Sequence, residues 1–183
     1  MIITITGKPC SGKGTVSKIF CQKYNFDYLC TGDMARDYAL KFGFDNILDF
    51  QKSEKVLEAD KLIDEDTARI GRERMNENIM FDSRLAWHFI PNSFKVFIDV
   101  DWEIAAKRLL DANRENEKAK NIKHAIQVLK DRWKTENERF YRLYKANNLN
   151  LDKYNLIISS NNLPPEEIAD LIYKKYLEFM QQA

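Results

Sequence analysis

Near its N-terminus the chain carries a run of residues whose types and spacing suit phosphate binding. The run reads Gly7-Lys8-Pro9-Cys10-Ser11-Gly12-Lys13-Gly14-Thr15. Glycines at Gly7 and Gly12 allow a tight loop whose backbone N–H groups turn inward and bind an anion. Lys13 can then reach the terminal phosphates of ATP, and the hydroxyl of Thr15 is available to Mg²⁺ or to a phosphate oxygen. The run therefore predicts a nucleoside triphosphate site.

The flanking sequence supplies the strand and the helix that such a loop requires. Ile2 to Thr6 is strand-like, and Val16 to Tyr24 continues as a helix. The alternative is a glycine-rich turn that arose by chance, which leaves this strand-to-helix placement unexplained.

A carboxylate and an arginine follow another strand-like segment, Ile79 to Phe81. Asp82 stands at the C-terminal end of this segment, from which a carboxylate can reach the Mg²⁺ of a neighbouring loop, usually through water. Arg84 would then point at the phosphate of an acceptor. The alternative for Asp82 is a helix cap for the residues that follow it.

Two further arginines lie on one face of a predicted helix. Arg132 and Arg139 are seven residues apart, which is two helical turns, and Glu136 lies between them on that face. They could close over a phosphate during its transfer. The alternative is an exposed ion-pair ladder, in which each pair contributes only ~0.2 to 0.5 kcal/mol. Transfer between two phosphates needs such cations rather than a general base, because the attacking oxygen is largely ionised above a second pKa near ~6.

Elements that could position these residues alternate along the chain. Short β-prone segments recur between helical stretches, which is typical of a parallel sheet covered by helices. The predicted strands are Ile2–Thr6, Phe26–Leu29, Ile79–Phe81, Phe94–Val100 and Asn155–Ser159. We predict an α/β fold, namely a P-loop three-layer α/β/α sandwich with a five-stranded parallel sheet. Its 183 residues, 44% hydrophobic and 31% charged, suit one domain spanning 1–183.

Two intervals, at about 31–78 and about 111–145, are too long for simple connections and look helical. We interpret both as helical insertions that could serve as movable covers above the sheet. The alternative is ordinary solvated helices.

A closing helix is predicted from about Pro164 to Phe179. Asn161 or Asn162 are its candidate caps, and Glu166 and Glu167 fall in its first turn. This helix has the composition of scaffold rather than of a site.

Charge and hydropathy argue against several classes of partner. Lys plus Arg total 29 and Asp plus Glu total 28, so a net charge of +1 gives no global attraction to nucleic acid or an anionic membrane. No apolar run approaches the ~20 residues of a membrane span, and Met1 to Thr6 is unlike a signal peptide. We expect a cytoplasmic, monomeric protein with no nucleic-acid or membrane partner.

The cysteines and histidines suggest no site of their own. Cys10, Cys21 and Cys30 are odd in number and lack metal-ligand spacing, so we expect reduced thiols. His88 and His124 lie far apart without a nucleophile partner, which argues against acyl transfer.

Several of these segments resemble the nucleoside monophosphate kinases. Gly14 intervenes between Lys13 and Thr15, which gives the Gly-Lys-Gly-Thr common in that family. Within the family the chain is most similar to cytidylate kinases of the archaeal type, over nearly its whole length. The segments that carry the likeness are Thr31-Gly32-Asp33-Met34-Ala35-Arg36, Arg84-Leu85-Ala86, Arg132 to Tyr141 and Asp152 to Ile158.

The resemblance implies that the interval at about 31–78 is an inserted monophosphate-binding region and that the interval at about 111–145 is a lid. It also implies roles for the arginines. Lys13, Arg132 and Arg139 would stabilise the transferring group. Arg36 and Arg84 would hold the phosphate of the acceptor.

The resemblance also implies the donor and its cofactor. ATP would lie on residues 7–15, with Arg108 at a position that contacts ATP in adenylate kinases. Mg²⁺ would accompany ATP, held by Thr15 and Asp82, in part through water.

The chain departs from the family pattern in three places. Cys10 stands where a glycine is common, and a side chain there in a left-handed conformation costs roughly 1 kcal/mol or more. Ser83 replaces a glycine, and residues 144–152 lack the usual tyrosine-glycine-isoleucine-aspartate run.

We expect a kinase that transfers the γ-phosphoryl group of ATP to CMP or dCMP. Two alternatives remain open from the sequence. One is a kinase for AMP or a small metabolite, and the other is a nucleotide-binding protein that signals by lid closure without catalysis.

Overall fold

The centre of the protein, seen in a computed structural model, is a sheet of five parallel strands. The structure describes residues 1–45, 49–50, 53–112 and 119–182. The strands are β1 (Ile2–Gly7), β2 (Asp27–Cys30), β3 (Ile79–Asp82), β4 (Phe94–Asp99) and β5 (Leu156–Ser159). Their spatial order is β2-β3-β1-β4-β5, and every neighbouring pair is parallel. All predicted strands are confirmed, with ends that differ by at most one residue.

Successive residues of the central strands face opposite sides of the sheet, and both sides are apolar. Ile3 and Ile5 of β1 pack with Met80 of β3 in the core on one face. Ile79 and Phe81, the neighbours of Met80, pack in a separate cluster on the other face. A strand has a two-residue period, so burial on both faces requires an unbroken apolar run, as the sequence has here.

Helices cover both faces of the sheet. They are α1 (Lys13–Tyr24), α2 (Thr31–Lys41), α3 (Lys55–Glu73), α4 (Ala86–Phe89), α5 (Trp102–Asp111), α6 (Ile122–Tyr144) and α7 (Pro165–Met180), with a 3-10 helix at Leu151–Lys153. On one face α1 packs on α7, where the rings of Tyr24 and Tyr173 stack at 3.8 Å. On the other face α5 packs on α6. The predicted three-layer α/β/α sandwich is confirmed. Within the described ranges, none of the helices combines the length and apolar composition that crossing a membrane demands.

Among its described residues, the predicted insertion contains α2 and α3, which lie between β2 and β3 in the chain. Ala39 of α2 and Ala59 of α3 pack with Phe50 in a small apolar cluster. Near the other end of α3, a Cβ on Gly71 would lie 2.7 Å from Cγ1 of Ile90. This close approach needs glycine and anchors the C-terminal end of α3 to the body of the protein. Residues 46–48 and 51–52 of the predicted insertion lie outside the described residues.

The interval predicted as a lid, 111–145, contains α6. The first half of this helix is part of the core. Ala125 and Leu129 are fully buried against Val100 and Leu109. Asn121 caps this helix, because its Oδ1 accepts a hydrogen bond from the His124 N–H at 2.9 Å. Residues 113–118 of the predicted lid lie outside the described residues.

The predicted asparagine cap of the closing helix is wrong. The N-cap of α7 is Pro164, without a side-chain hydrogen bond to the helix. Asn161 instead accepts a hydrogen bond from the N–H of Asp101 at 2.9 Å, which joins the β5 end to the start of α5. Glu166 and Glu167 do lie in the first turn.

Candidate active site

The loop after β1 has the strand-to-helix geometry predicted for it. β1 ends at Gly7 and α1 begins at Lys13. Gly12, the N-cap of α1, has a φ of 82°, which glycine adopts without steric cost. Cys10 has a φ of 59°. The side chain at this position therefore does not prevent the left-handed conformation, although it costs about 1 to 2 kcal/mol.

Lys13 and Asp82 form an ion pair between the loop and the end of β3. The two meet because β1 and β3 are neighbours, with Ile5 aligned to Asp82. Asp82 is only 4% exposed, and its Oδ2 accepts a hydrogen bond from the Tyr28 hydroxyl at 2.9 Å. The carboxylate is thus fixed beside the phosphate loop, as its place at the end of the strand predicts.

The N-cap residue of the following helix is Leu85, and the side chain that accepts hydrogen bonds at this helix end is that of Ser83, so the alternative role of Asp82 as a cap does not apply. The Ser83 Oγ accepts hydrogen bonds from the N–H groups of Leu85 and Ala86 at 3.2 and 3.1 Å. The serine that replaces a family glycine therefore stabilises the short helix α4 directly after Arg84.

Two cavities meet beside this ion pair. The first, which we call the loop cavity, has a volume of about 550 Å³ and is lined by the whole phosphate loop, residues 7–15. The second, which we call the helix cavity, has a volume of about 320 Å³ and is lined by residues of α2, α3 and α6. Five residues line both: Lys13, Cys30, Asp82, Arg84 and Arg132. The predicted cations therefore lie where a ligand in one cavity would meet a ligand in the other.

The arginines of this junction face carboxylates. Arg84 and Arg132 both pair with Glu136, the latter with an Nε–Oε1 distance of 3.3 Å. Arg139 pairs with Asp60 Oδ2 at 2.8 Å. Arg132, Glu136 and Arg139 share one face of α6, as their spacing predicts. Glu136 is only 17% exposed and pairs with Arg84, which belongs to another element. These residues therefore do not form the alternative arrangement, an exposed ladder of ion pairs along one helix.

Burial and neighbouring positive charges lower the pKa values of two cations at the junction. The pKa of Lys13 is lowered to about 8, first by burial and then by repulsion from Arg84. The pKa of Arg84 is lowered to about 9 by burial and by repulsion from Arg132 and Arg139. Both groups remain mostly charged at pH 7. A phosphate group would relieve the crowding of these positive charges.

Arg108 contacts the loop from α5. Its Nη1 donates to the carbonyl of Cys10 at 3.2 Å and to Ser160 Oγ at 3.0 Å, and its Nη2 donates to the carbonyl of Ser160 at 2.6 Å. The guanidinium thus links the left-handed peptide of the loop to the residue after β5. Arg108 is not among the described residues that line the loop cavity, so its contact with ATP stays a prediction.

Arg36 and Lys8 lie at the rim of the loop cavity. Arg36 is 61% exposed, and its Nη1 donates to the Gly32 carbonyl at 2.8 Å. It lines the loop cavity and not the helix cavity, so its expected contact with the acceptor phosphate stays a prediction. Lys8 pairs with Asp99 at 2.6 Å, which directs its ammonium toward the end of β4.

An acidic wall of the helix cavity escaped the sequence analysis. Asp60 and Asp64 of α3 line this cavity with Tyr144 of α6, whose hydroxyl donates to Asp64 Oδ2. Burial raises the pKa of Asp64 to about 6 and also raises that of Asp60. A signal exists in the sequence, because the two carboxylates are four residues apart and share a helix face with apolar Ile63.

The histidines lie outside the two cavities, whereas two of the cysteines lie inside one of them. Neither His88 nor His124 is among the described residues that line the two cavities. Within the described part of the chain Cys10, Cys21 and Cys30 form no disulfide, and Cys10 and Cys30 line the loop cavity.

Comparison with known proteins identifies relatives over most of the chain. The family described as AAA domain matches residues 3–130. The chain is 32% identical to a cytidylate kinase of Sulfurisphaera tokodaii, over 98% of this chain and 97% of that protein. It is 35% identical, over 95% of its length, to an S-adenosylmethionine-dependent nucleotide dehydratase of Lacinutrix mariniflava. The chain spans only 35% of the length of that relative.

Solved structures share the fold at low sequence identity. A shikimate kinase from Bacteroides thetaiotaomicron superposes with a TM-score of 0.65 at 16% identity, over 99% of this chain and 98% of that one. At this identity the likeness concerns the fold alone. The likeness to a cytidylate kinase over almost the whole of both chains goes further. Together with the phosphate loop, it shows that this chain belongs to the nucleoside monophosphate kinase family of ATP-dependent P-loop kinases, among its cytidylate-kinase-like members.

Proposed function

We propose that this kinase transfers the γ-phosphoryl group of ATP to CMP or dCMP, giving ADP and the corresponding diphosphate. The observation that carries the proposal is the junction of the two cavities at Lys13, Arg84 and Arg132. With ATP in the loop cavity and a monophosphate in the helix cavity, these cations stand between donor and acceptor phosphates.

Positioning and charge suffice for this reaction. Lys13, Arg132 and Arg139 stabilise the negative charge of the transferring group, while Arg84 holds the acceptor phosphate. An ionised oxygen of the acceptor phosphate forms a bond to the γ-phosphorus as the bond to the β,γ-bridging oxygen breaks, and ADP leaves. No general base is needed, since that oxygen is largely ionised at neutral pH.

Magnesium fits the residues at the end of β3. The buried carboxylate of Asp82 and the exposed hydroxyl of Thr15 both line the loop cavity. Oxygen donors in this small number suit Mg²⁺, which keeps several waters and binds phosphate oxygens. When bound with ATP, the ion supplies neutralisation of the phosphate charge.

The lining of the helix cavity favours a nucleotide acceptor over a small acid. Beyond the cations it presents apolar Phe140 and Leu143 and the carboxylates of Asp60 and Asp64. Apolar surface suits a base, whereas a carboxylate wall repels an acidic metabolite such as shikimate. The relatives named for cytidylate and for a nucleotide support the same class of acceptor.

The test is a panel of acceptors in an assay for ADP release. CMP, dCMP, UMP, AMP and shikimate are compared with Mg·ATP, and Lys13→Ala serves as the blank. We expect kcat/KM for CMP or dCMP to exceed that of every other acceptor by about tenfold or more. If neither gave more turnover than the blank, the proposed acceptor would be wrong.

A further inference from the structure

We propose that a third cavity, which we call the lysine cavity, is a second anion site for a small molecule that carries two or more linked phosphate groups. This cavity has a volume of about 450 Å³, and Lys95, Lys145 and Lys153 are among the residues that line it. Among the described residues, none that line it also line the loop cavity or the helix cavity. The inference therefore goes beyond the proposed function and concerns a different place in the fold.

The first support is a local excess of positive charge. The chain as a whole is nearly neutral, with a net charge of +1. No aspartate or glutamate is among the described residues that line the lysine cavity, and within the described ranges its three lysines form no ion pair with a carboxylate. Burial, and then repulsion from Lys153, lower the pKa of Lys95. A ligand with several negative charges would relieve this repulsion.

The second support is that the amides of the lysine cavity present hydrogen-bond donors. The Asn147 Oδ1 accepts a hydrogen bond from the Leu149 N–H at 3.0 Å, and the Asn150 Oδ1 accepts one from the Asp152 N–H at 3.2 Å. Because a backbone N–H needs an oxygen partner, these contacts fix the orientation of both amides and leave their NH₂ groups as donors. A lysine ammonium also only donates. Such a lining is complementary to phosphate oxygens, which accept.

The third support is the backbone of Lys145, the C-cap residue of α6. Its φ is 57°, in the left-handed region that glycine or asparagine usually occupies at a helix end. A lysine there costs about 1 to 2 kcal/mol, whereas a cation near the last carbonyls of a helix recovers only about 0.3 to 1 kcal/mol. The helix end alone therefore does not account for a lysine at this position, and a ligand for its ammonium group does.

The charge and the volume of the lysine cavity select the class of ligand. A single phosphate group carries a charge of about −1.5 to −2, so three ammonium groups match two or three linked phosphates better. A volume of about 450 Å³ suits a small molecule rather than a macromolecular surface. Trp87, His88 and Pro91 add ring surface against which a base can pack. Inorganic polyphosphate and a nucleoside di- or triphosphate share this chemistry.

The lysine cavity lies away from the phosphate loop. Lys95 is the second residue of β4, whereas the loop meets β4 near its other end, where the Lys8 N–H donates to the Ile98 carbonyl at 3.2 Å. The active sites of parallel sheets lie at the carboxyl ends of the strands. A ligand in the lysine cavity would therefore bind together with ATP rather than in its place.

The test is a calorimetric titration of inorganic triphosphate into the unaltered protein and two variants at low salt. We expect two sites per chain in the unaltered protein, one at the phosphate loop and one in the lysine cavity. The double variant Lys95→Gln/Lys153→Gln should weaken the second site at least about tenfold and keep the first. Lys13→Ala should weaken the first site and keep the second. A single site that Lys13→Ala abolishes would overturn the inference.

A matched control removes two charges elsewhere. The double variant Lys123→Gln/Lys130→Gln alters exposed positions of α6 that do not line the cavity, and it should keep both sites. If this control weakened the second site equally, net charge would explain the effect and the inference would be wrong.

The choice of probe tests the ligand class. On Lys13→Ala, inorganic phosphate should bind at least about tenfold more weakly than inorganic triphosphate, because one phosphate group cannot reach all three lysines. Equal affinities would contradict the proposed class. On the same variant, ATP binding about tenfold tighter than triphosphate would support a nucleotide as the ligand, and equal binding would support the phosphate chain alone.

A second measurement needs no variant and covers a failure of the double variant to fold. Acetylation of individual lysines is followed by mass spectrometry with and without inorganic triphosphate. Bound triphosphate should slow the modification of Lys95, Lys145 and Lys153 at least about threefold and leave Lys123 unchanged. Unchanged rates at all three lysines would overturn the inference. They would leave the proposed function intact, since that function uses no residue of the lysine cavity.

Discussion

Lys13 and Arg84 are two buried cations at the junction of the cavities, and both have lowered pKa values. The pKa of Arg84 is about 9, so Lys13 is the one that loses its charge at lower pH. Its pKa of about 8 results from burial and from Arg84. The folded-state pKa lies below that of a solvated lysine, near ~10.4, so the neutral form is reached first in the folded protein.

We therefore expect ATP binding to weaken as pH rises from 7 to 9. The protonated lysine is the form that attracts phosphate, and it is depleted above pH 8. The affinity for ATP, measured by calorimetry without an acceptor, should fall by up to about tenfold over this range. Lys13→Ala should bind ATP weakly, and its affinity should change little between pH 7 and 8, because the pKa of Arg84 is about 9. A flat profile in the unaltered protein would contradict the prediction.

At the scale of residues, chemistry that depends on local sequence could be predicted and chemistry that depends on distant contacts could not. The loop and Asp82 follow from a motif and from the end of a strand. Asp64 looks like any carboxylate of a solvated helix until α3 meets α6, where Tyr144 lies 80 residues away in the sequence. The acidic wall therefore escaped prediction although Arg132 and Arg139 opposite it did not.

At the scale of elements, α6 combines two functions in one helix. Its first half is buried against α5, and its second half lines the helix cavity. Glu136 stands where the two halves meet and pairs with Arg84 and Arg132. In the structure this carboxylate thus pairs with two of the cations to which we propose that phosphates bind.

Glu136→Gln should therefore lower stability and ease acceptor binding. Arg84 would lose the partner that compensates its burial, at a cost of about 1 to 3 kcal/mol in the free energy of unfolding. The KM for CMP should fall, because the phosphate no longer competes with a carboxylate. Thermal unfolding with and without CMP measures the first effect, and steady-state kinetics measures the second.

Glu138→Gln is the matched control, since Glu138 is 67% exposed and its ion-pair partner among the described residues is Lys134, on the same helix. It should change neither quantity. If Glu136→Gln behaved like this control, Glu136 would not restrain the arginines.

The same scale shows where prediction from sequence ends. The strands were predictable because short, mainly apolar segments such as Phe94 to Ile98 are typical of a sheet that is buried on both faces. The interval 111–145 was predicted as one lid. Its helix is partly core, because Ala125 and Leu129 are small enough to pack tightly on α5, which helical periodicity alone does not reveal.

For the whole molecule, the contacts between α3 and α6 join the insertion to the opposite wall of the site. The polar contacts that the described residues show between them include Asp60–Arg139 and Asp64–Tyr144. Both lie over the helix cavity, so a bound acceptor must rearrange or reinforce them.

We expect ligand to order the insertion and the second half of α6 without changing the sheet. Hydrogen exchange with a non-hydrolysable ATP analogue and CMP should slow in residues 31–41, 55–73 and 132–144. The central strands should already be protected, since β1 and β3 are almost fully buried. Equal slowing throughout the chain would indicate global stabilisation instead of closure.

Because Gly71 packs closely against Ile90, the C-terminal end of α3 is the point about which this helix would tilt. Asp64 lies seven residues from Gly71, which is about 10 Å along the helix axis. A tilt of about 5° about this point would move the Asp64 carboxylate by about 1 Å, which is enough to break a hydrogen bond. Neither Gly71 nor Ile90 lines the helix cavity as described. Substitutions at these two positions would therefore shift the α3 side of the helix cavity without touching a ligand within it.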